Sequence, residues 1–378
     1  MRRATIVVLG FAGSLAAAGA AAGELVERWR VTEDDVLLGS VADVEVVAGT
    51  LFILDSRLAT VHAYSVDGEY RGAFTVQGEG PGQVTAPTGL VALDPHLGIH
   101  GHLPELVVVT PTGEPAPGRG TIRFYRTAAD LFRLTGAGHH HGTLVVAGVR
   151  PVAGGAAAGD AAGDAAGDAD GAHGEAFLQR YGPGGAAGEL VFAAVLHSQV
   201  ANWALDDRDS YWIDGKPWCV TGDGEVWYVG ARNGDGGYRV TTPDATFPRA
   251  CPPRARTALE RQAAVMSMLG TAADQWGGTV ATSGVEPDVY ELIPYRNRVL
   301  AHTSGSDRSG ARVYDVFTGA GFAGEYELAY DGFDPRDQAY FFDQCIVVVK
   351  GQYDRRFYGL RADPDQLQVI VFTEKERS

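Results

Sequence analysis

Three cysteines in 378 residues are too few to build a disulfide-stapled fold, and none stands in CxxC spacing. A thioredoxin-type redox motif and a zinc ribbon are thereby excluded. Basic residues are also scarce: 31 Lys and Arg face 47 Asp and Glu, for a formal charge of −16. Such a chain repels nucleic-acid phosphates and anionic bilayers, and it admits cationic ligands, metal ions or basic partners. Catalytic signatures are missing too. There is no Gly-x-Ser-x-Gly elbow and no HExxH. Beyond the first residues, no apolar run is long enough for a membrane-spanning helix.

What is plentiful is turn chemistry. The 51 glycines suit a chain of many short strands and tight turns. Residues 41–94 show the pattern most clearly. Val41–Val47, Leu51–Asp55, Val61–Ser65 and Tyr70–Val76 read as four successive strands, with Val66-Asp67-Gly68 as a hairpin turn. Four antiparallel strands of this size make one propeller blade. The rhythm returns. Gly89–Leu93, Glu105–Thr110, Thr121–Tyr125 and Asp130–Leu134 predict a second blade, with Asp94–Pro104 as a loop inside it. Thr143–Val149, Ala176–Tyr181 and Glu189–Leu196 belong to a third, and Trp218–Thr221, Glu225–Gly230 and Gly237–Thr241 to a fourth. A helix is expected over Arg256–Leu269. Pro287–Pro294, Arg298–Thr303, Ala311–Phe317 and Gly324–Tyr330 form a fifth blade; Ala339–Lys350, Arg356–Arg361 and Gln366–Phe372 supply a sixth. The fold class is therefore all-β, a six-bladed β-propeller of four-stranded antiparallel blades with one short helix. Glu24–Val31 is placed to pair with the last blade and close the ring.

Residues 1–22 read as a signal peptide: Arg2 and Arg3, an apolar stretch over Ala4–Leu15, and Ala20-Ala21-Ala22 before Gly23. The propeller domain then covers 23–378, in the periplasm or outside the cell. Residues 153–175 repeat Gly, Ala and Asp with few large apolar side chains, and are expected to be a flexible loop. Asp160, Asp164, Asp168 and Asp170 within it match no calcium-loop spacing. In an oxidising compartment Cys219 and Cys251 are the better placed to pair among Cys219, Cys251 and Cys345; three buried thiols is the competing expectation, and the one preferred.

The strand-Asp-strand pattern of Leu51–Asp55 and Val61–Gly68, the turn Gln77-Gly-Glu-Gly-Pro-Gly-Gln83, and Val313–Phe317 followed by Gly321–Leu328 carry a resemblance. In these stretches the chain resembles the bacterial six-bladed β-propellers related to NHL repeats. That resemblance implies the fold and export. It implies no single activity, although related propellers hydrolyse lactones or phosphoesters with calcium in the central channel.

Three features are candidates for function. The QGEGPGQ turn has neither a following helix nor a nearby Lys, so it reads as structure rather than a phosphate loop. His100, His102, His139, His140 and His141 fall in two expected loops that blade geometry would bring together; imidazoles so grouped suit zinc, copper or nickel. Trp203, Trp212, Trp218 and Trp227, with Asp206, Asp207, Asp209 and Asp214, are candidate contacts for a sugar or a cation, against inter-blade packing as the plainer role. Asp55, Asp223 and Asp315 are expected to cap turns. The leading function is a non-catalytic scaffold for a protein, small-molecule or carbohydrate ligand. A calcium-dependent hydrolase of lactones or phosphoesters is the alternative, and transition-metal binding through the histidines is a third.

Overall fold

A computed structural model describes residues 24–32, 35–36, 38–78, 80, 82–127, 130–140, 142–152, 173–182, 184–199, 204–213, 215–230, 236–252, 254–258, 260–262, 279–305, 308, 310–351 and 367–375. The order begins with β1 (Glu24–Thr32). Blade I is β2 (Val41–Val47), β3 (Thr50–Asp55), β4 (Thr60–Ser65) and β5 (Tyr70–Thr75). Blade II is β6 (Gly89–Leu93), β7 (His96–His100), β8 (Glu105–Val109) and β9 (Thr121–Arg123). Blade III is β10 (Arg133–His140), β11 (Thr143–Val152), β12 (His173–Tyr181) and β13 (Ala187–Gln199), extended by the short β14 (Ala204–Asp206). Blade IV is β15 (Trp218–Val220), β16 (Val226–Val229), β17 (Gly237–Thr241) and β18 (Thr246–Ala250). The short β19 (Thr279–Ala281) then returns to pair with β14 in parallel. Blade V is β20 (Val289–Tyr295), β21 (Arg298–Thr303), β22 (Arg312–Thr318) and β23 (Gly321–Leu328). Blade VI is β24 (Gln338–Phe342), β25 (Cys345–Lys350) and β26 (Gln368–Lys375), completed by β1.

The blades stand in a closed ring because apolar side chains fill the gap between every neighbouring pair. Phe52, Leu54, Leu97 and Ile99 lie between blades I and II, and Leu106, Phe177 and Tyr181 between II and III. Leu178 and Trp218 lie between III and IV, and Trp227, Tyr238 and Phe317 between IV and V. Tyr314, Tyr326 and Ile346 lie between V and VI, and Leu51, Ile53, Val347 and Val371 between VI and I. Strand alternation explains this: Leu51 and Ile53 face one neighbour while Phe52 and Leu54 face the other, so both faces of a blade are apolar.

Closure follows the expected route. β1 runs antiparallel to β26, from Glu24 opposite Lys375 to Thr32 opposite Gln368. Trp29 then reaches into blade I, stacking on Tyr64 at 5.5 Å and donating its indole N–H to the Val66 carbonyl at 3.0 Å. It lies against Gly68, where φ is +98° and a Cβ would sit 2.7 Å from the indole, so this hairpin turn requires glycine.

Several expectations are corrected. The segment expected as a loop over Asp94–Pro104 contains β7, whose Leu97 and Ile99 are fully buried. Its Gly98 leaves room that a Cβ would lose to Val91, at 2.6 Å. The fourth strand of blade II is therefore Thr121–Arg123, and Asp130–Leu134 gives way to β10, the first strand of blade III. Ala339–Lys350 is a hairpin of two strands turning at Asp343-Gln344. Residues 173–175 are strand, while 153–172 of the Gly/Ala/Asp segment lie outside the described residues, as do 1–22, Arg356–Arg361 and 263–269 of the expected helix. That helix begins with a capping box, in which Glu260 N–H donates to Thr257 Oγ1 at 3.2 Å and Thr257 N–H to the Glu260 carboxylate at 2.8 Å. Arg256 precedes it and pairs with Glu286 at 3.0 Å. All three cysteines are buried free thiols, so the Cys219–Cys251 pairing does not form. Short helical turns at Asp207–Asp209 and Ser210–Ile213 are also present. Among the described residues no helix is long and apolar enough to cross a membrane.

Two of the three repeat aspartates cap turns. Asp55 accepts N–H groups from Gly39, Ser40, Arg57 and Leu58. Asp223 accepts the Thr221 hydroxyl and the Glu225 N–H. Asp315 does something else. Buried between blades IV and V, it accepts the Tyr238 hydroxyl at 2.6 Å and a bidentate pair of bonds from Arg249, both 3.0 Å.

Candidate functional site

The innermost strand of each blade has one hydrogen-bonded neighbour, so its other edge faces the axis of the ring. β2, β6, β10, β15, β20 and β24 together enclose a central bore of about 530 Å³. Because these strands run in the same sense, residues near their starts share one mouth. Asp43, Lys216 and Glu291 lie toward that mouth; His139, His140, Arg296 and Asp343 lie toward the other.

An inner edge leaves backbone N–H and C=O groups without a strand partner. Side chains from neighbouring blades satisfy them. Leu90 N–H of β6 donates to Asp43 at 2.8 Å. The Ala92 N–H, two residues on, acts on the Glu45 carboxylate and favours its charged form. The Ala92 carbonyl accepts from His139 Nδ1 of β10 at 3.0 Å. Asp43 and Glu45 are two apart on one strand, so both point toward blade II. On the far side, the main chain of Lys216 bridges to β20, with Lys216 N–H donating to Tyr290 and Leu292 N–H to Lys216. At the other mouth Arg296 N–H donates to Asp343 at 3.0 Å.

Burial inside the bore pushes the Glu45 carboxyl up to about 7, with the Asp43 charge adding to the rise. The Val46 and Ala92 N–H groups and Lys216, one of only three lysines in the chain, oppose it. Glu45 is therefore close to half-protonated at neutral pH. His139 moves below its ordinary range, chiefly through burial. Burial raises the Cys219 thiol, which also lines the bore, to about 12, so this thiol is inert at neutral pH.

Glu45 yields a stability prediction. Its folded value, about 7, exceeds the ordinary 4.5, so the folded protein holds the extra proton between those limits. The associated stability is complete below pH 4.5 and lost as pH rises through 7. Glu45→Gln retains an acceptor for the Val46 N–H and carries no charge. Urea unfolding at pH 8 is expected to show the variant more stable by about 1–3 kcal/mol, with almost no gain at pH 4. An equal difference at both pH values would refute it.

The histidine candidates separate. His100 ends β7 and is buried, its ring lying over Gly89 of β6 and reaching the bore through the gap glycine leaves. His139 and His140 line the bore from β10, a strand rather than a loop. His102 lies outside the strands and is exposed; its carbonyl accepts the Leu134 N–H. His141 is outside the described residues. A Cβ on Gly89 would meet the His100 ring at 2.4 Å. Gly89→Ala is therefore expected to displace that ring and cost about 1–3 kcal/mol in chemical denaturation, whereas Gly319→Ala, at an open and exposed position, supplies a surface control.

The tryptophan candidates separate as well. Trp218 and Trp227 sit on adjacent strands of blade IV but on opposite faces, Trp218 toward blade III and Trp227 toward blade V. The Trp218 indole rests on Gly136 and Gly138 of β10 and borders the bore, with the Lys216 ammonium 5.8 Å from its ring centre. Trp212 stacks on Phe192 at 4.7 Å, away from the bore. Trp203 and Asp214 lie outside the described residues. Asp206 pairs with Arg208, and Asp209 accepts the N–H groups of His197 and Ser198. Asp206 thus serves a local turn, and Asp209 ties that turn to β13.

Calcium takes six to eight oxygen ligands. The bore carboxylates Asp43, Glu45, Glu291 and Asp343 are spread along two mouths, and among the described residues no three His, Cys, Asp or Glu side chains come together as a metal site. Those residues do not fit a calcium centre. Sequence reading missed the acids, although position gives a signal: Asp43 and Glu45 are the charged residues in the apolar first strand of a blade.

No protein-family model matches the chain, and no curated protein matches it. Solved structures do. A Bacteroides fragilis protein described as exported is 9% identical over 93% of this chain and 95% of that one, with a TM-score of 0.49. A Bacteroides vulgatus member of the DUF4221 family is 9% identical over 94% and 99%, also at 0.49. The aldose sugar dehydrogenase of Streptomyces coelicolor, in its PQQ-bound form, is 11% identical over 92% and 98%, at 0.41.

Proposed function

We propose that this chain is an exported, non-catalytic binding propeller that receives a small polar ligand in its central bore. The observation that carries this reading is the bore itself: about 530 Å³, within the range of small-ligand sites, with charged and imidazole groups contributed by all six blades among apolar strand positions. Lactone or phosphoester hydrolysis has no support in a metal-ligand set among the described residues, and the histidines do not form a metal group there. Export rests on the pattern of residues 1–22, and kinship with NHL-type propellers rests on the QGEGPGQ turn and the strand-Asp-strand blades.

The test is a thermal-shift screen of small polar compounds against the mature protein. Compounds that raise Tm are expected to lose their effect when Asp43 and Glu45 are both replaced by their amides. A screen with no stabilising compound, or shifts indifferent to the double substitution, would sink the reading.

A further inference from the structure

We propose that the seam between blades VI and I is an acid-sensitive latch: His62, buried there without a hydrogen-bond partner, keeps the ring closed while its imidazole is neutral and opens the seam when it is charged. The latch is independent of what the bore binds. In β4, strand alternation sends Val61 and Ala63 toward blade II, and His62 and Tyr64 toward blade VI. His62 stands opposite Ile53 of β3 and Ala73 of β5, and Ile53 belongs to the core that blades VI and I share. The residue is 5% exposed, and neither ring nitrogen has a hydrogen-bond partner. The other two fully buried histidines are supported. His100 Nδ1 lies 3.3 Å from the Gly101 carbonyl, and His302 Nδ1 lies 3.4 Å from Glu291. Two residues along from His62, the Tyr64 hydroxyl is also buried and unbonded, so both polar side chains on this face of β4 are unsatisfied.

A buried imidazole without partners costs little while neutral and far more once charged. The opposing wall is Val347 and Val349 of β25 and Val369 and Val371 of β26, with the Cys345 thiol pushed up to about 11 by burial and therefore uncharged. The titratable and charged groups around the seam are Asp55 from β3, Tyr64 from β4, Arg71 from β5, Cys345 from β25, Arg28 from β1 and Asp35 from the link between β1 and β2. Asp55 is the charge that acts on His62, but its carboxylate already serves four backbone N–H groups. Burial outweighs it and holds the imidazole below its ordinary 6.5. The opened seam therefore takes up the proton first. The contribution of a neutral His62 to closure is complete above pH 6.5 and is lost as pH falls through the folded value. A charged ring is satisfied only where water reaches it, which requires blade VI to lift from β4. Trp29 ties β1 to Tyr64 and Val66 of blade I, so that lifting breaks the β1–β26 ladder that closes the ring.

The experiment is hydrogen–deuterium exchange of residues 23–378 at pH 7.5, 6 and 5, each corrected for the intrinsic exchange rate. Peptides covering β1, β4 and β26 report the seam; peptides covering β12 and β16 report the far side of the ring. From pH 7.5 to pH 5 the seam is expected to exchange up to about 30-fold faster, the ratio of charged to neutral imidazole in an opened seam with an ordinary value of 6.5. The far side should change much less. His62→Leu, which fills the site and cannot be charged, should abolish the acid response of the seam; His62→Gln, read the same way, serves if the leucine variant does not fold. Seam exchange that is indifferent to pH in the unsubstituted protein would overturn the proposal. So would an acid response that survives in the variant, or one spread evenly over all six blades.

Discussion

Removing residues 24–32 is expected to abolish the cooperative native state. β1 is the fourth strand of blade VI, and without it β26 presents a long row of free N–H and C=O groups. The loss reaches further than one strand. Val31 belongs to the core between blades VI and I, Leu25 packs on the core between V and VI, and Trp29 ties the blade to Tyr64 and Val66 of blade I. A chain beginning at residue 33 should elute as aggregate in size-exclusion chromatography and lack a sharp thermal transition. Trp29→Ala, which leaves the strand pairing in place, should fold and lose about 2–4 kcal/mol. A monomeric truncated chain with an unchanged Tm would show that β1 does not close the ring.

Asp315→Ala is expected to cost about 3–4 kcal/mol in urea unfolding. Its carboxylate serves three donors from blade IV, and its removal strands the Tyr238 hydroxyl and leaves Arg249 with Glu325 at 3.7 Å and the Phe322 ring face at 4.0 Å. Breaking a buried pair costs more than the pair contributes, because the surviving charge remains desolvated. Asp315→Asn should recover part of the loss by keeping an acceptor for the tyrosine. The pair Arg28–Asp67 gives the contrast: it is exposed, and its removal should cost under about 1 kcal/mol. Equal costs at the two sites would mean that Asp315 does not lock blades IV and V together.

Blade I was legible in the sequence almost to the residue, since β3 and β4 are buried almost throughout and the Asp67-Gly68 turn marks where β4 ends, so local propensity and burial agree there. Glu24–Val31 was legible as the closing strand because a propeller needs a partner for its last edge. β7 and β10 were not. HLGIH and RLTGAGHH carry glycine and histidine in place of β-branched residues. Tertiary packing makes them strands: Gly98 admits Val91, while Gly136 and Gly138 make a bed for Trp218 of the next blade. Asp315 was misread for a related reason. Its place in the repeat matched a turn cap, but its partners come from another blade, about 66 and 77 positions away in the chain. The bore acids became visible only after the inner strands were known, because convergence across six blades leaves no local spacing to read.

The most direct test of the central claim is a crystal structure of residues 23–378 soaked with the compound that gives the largest Tm shift. The account predicts ligand density inside the bore, between β2, β6 and β15, with a polar group of the ligand within hydrogen-bonding distance of Asp43 or Glu45. Density confined to the outer surface, with the bore empty, would contradict it.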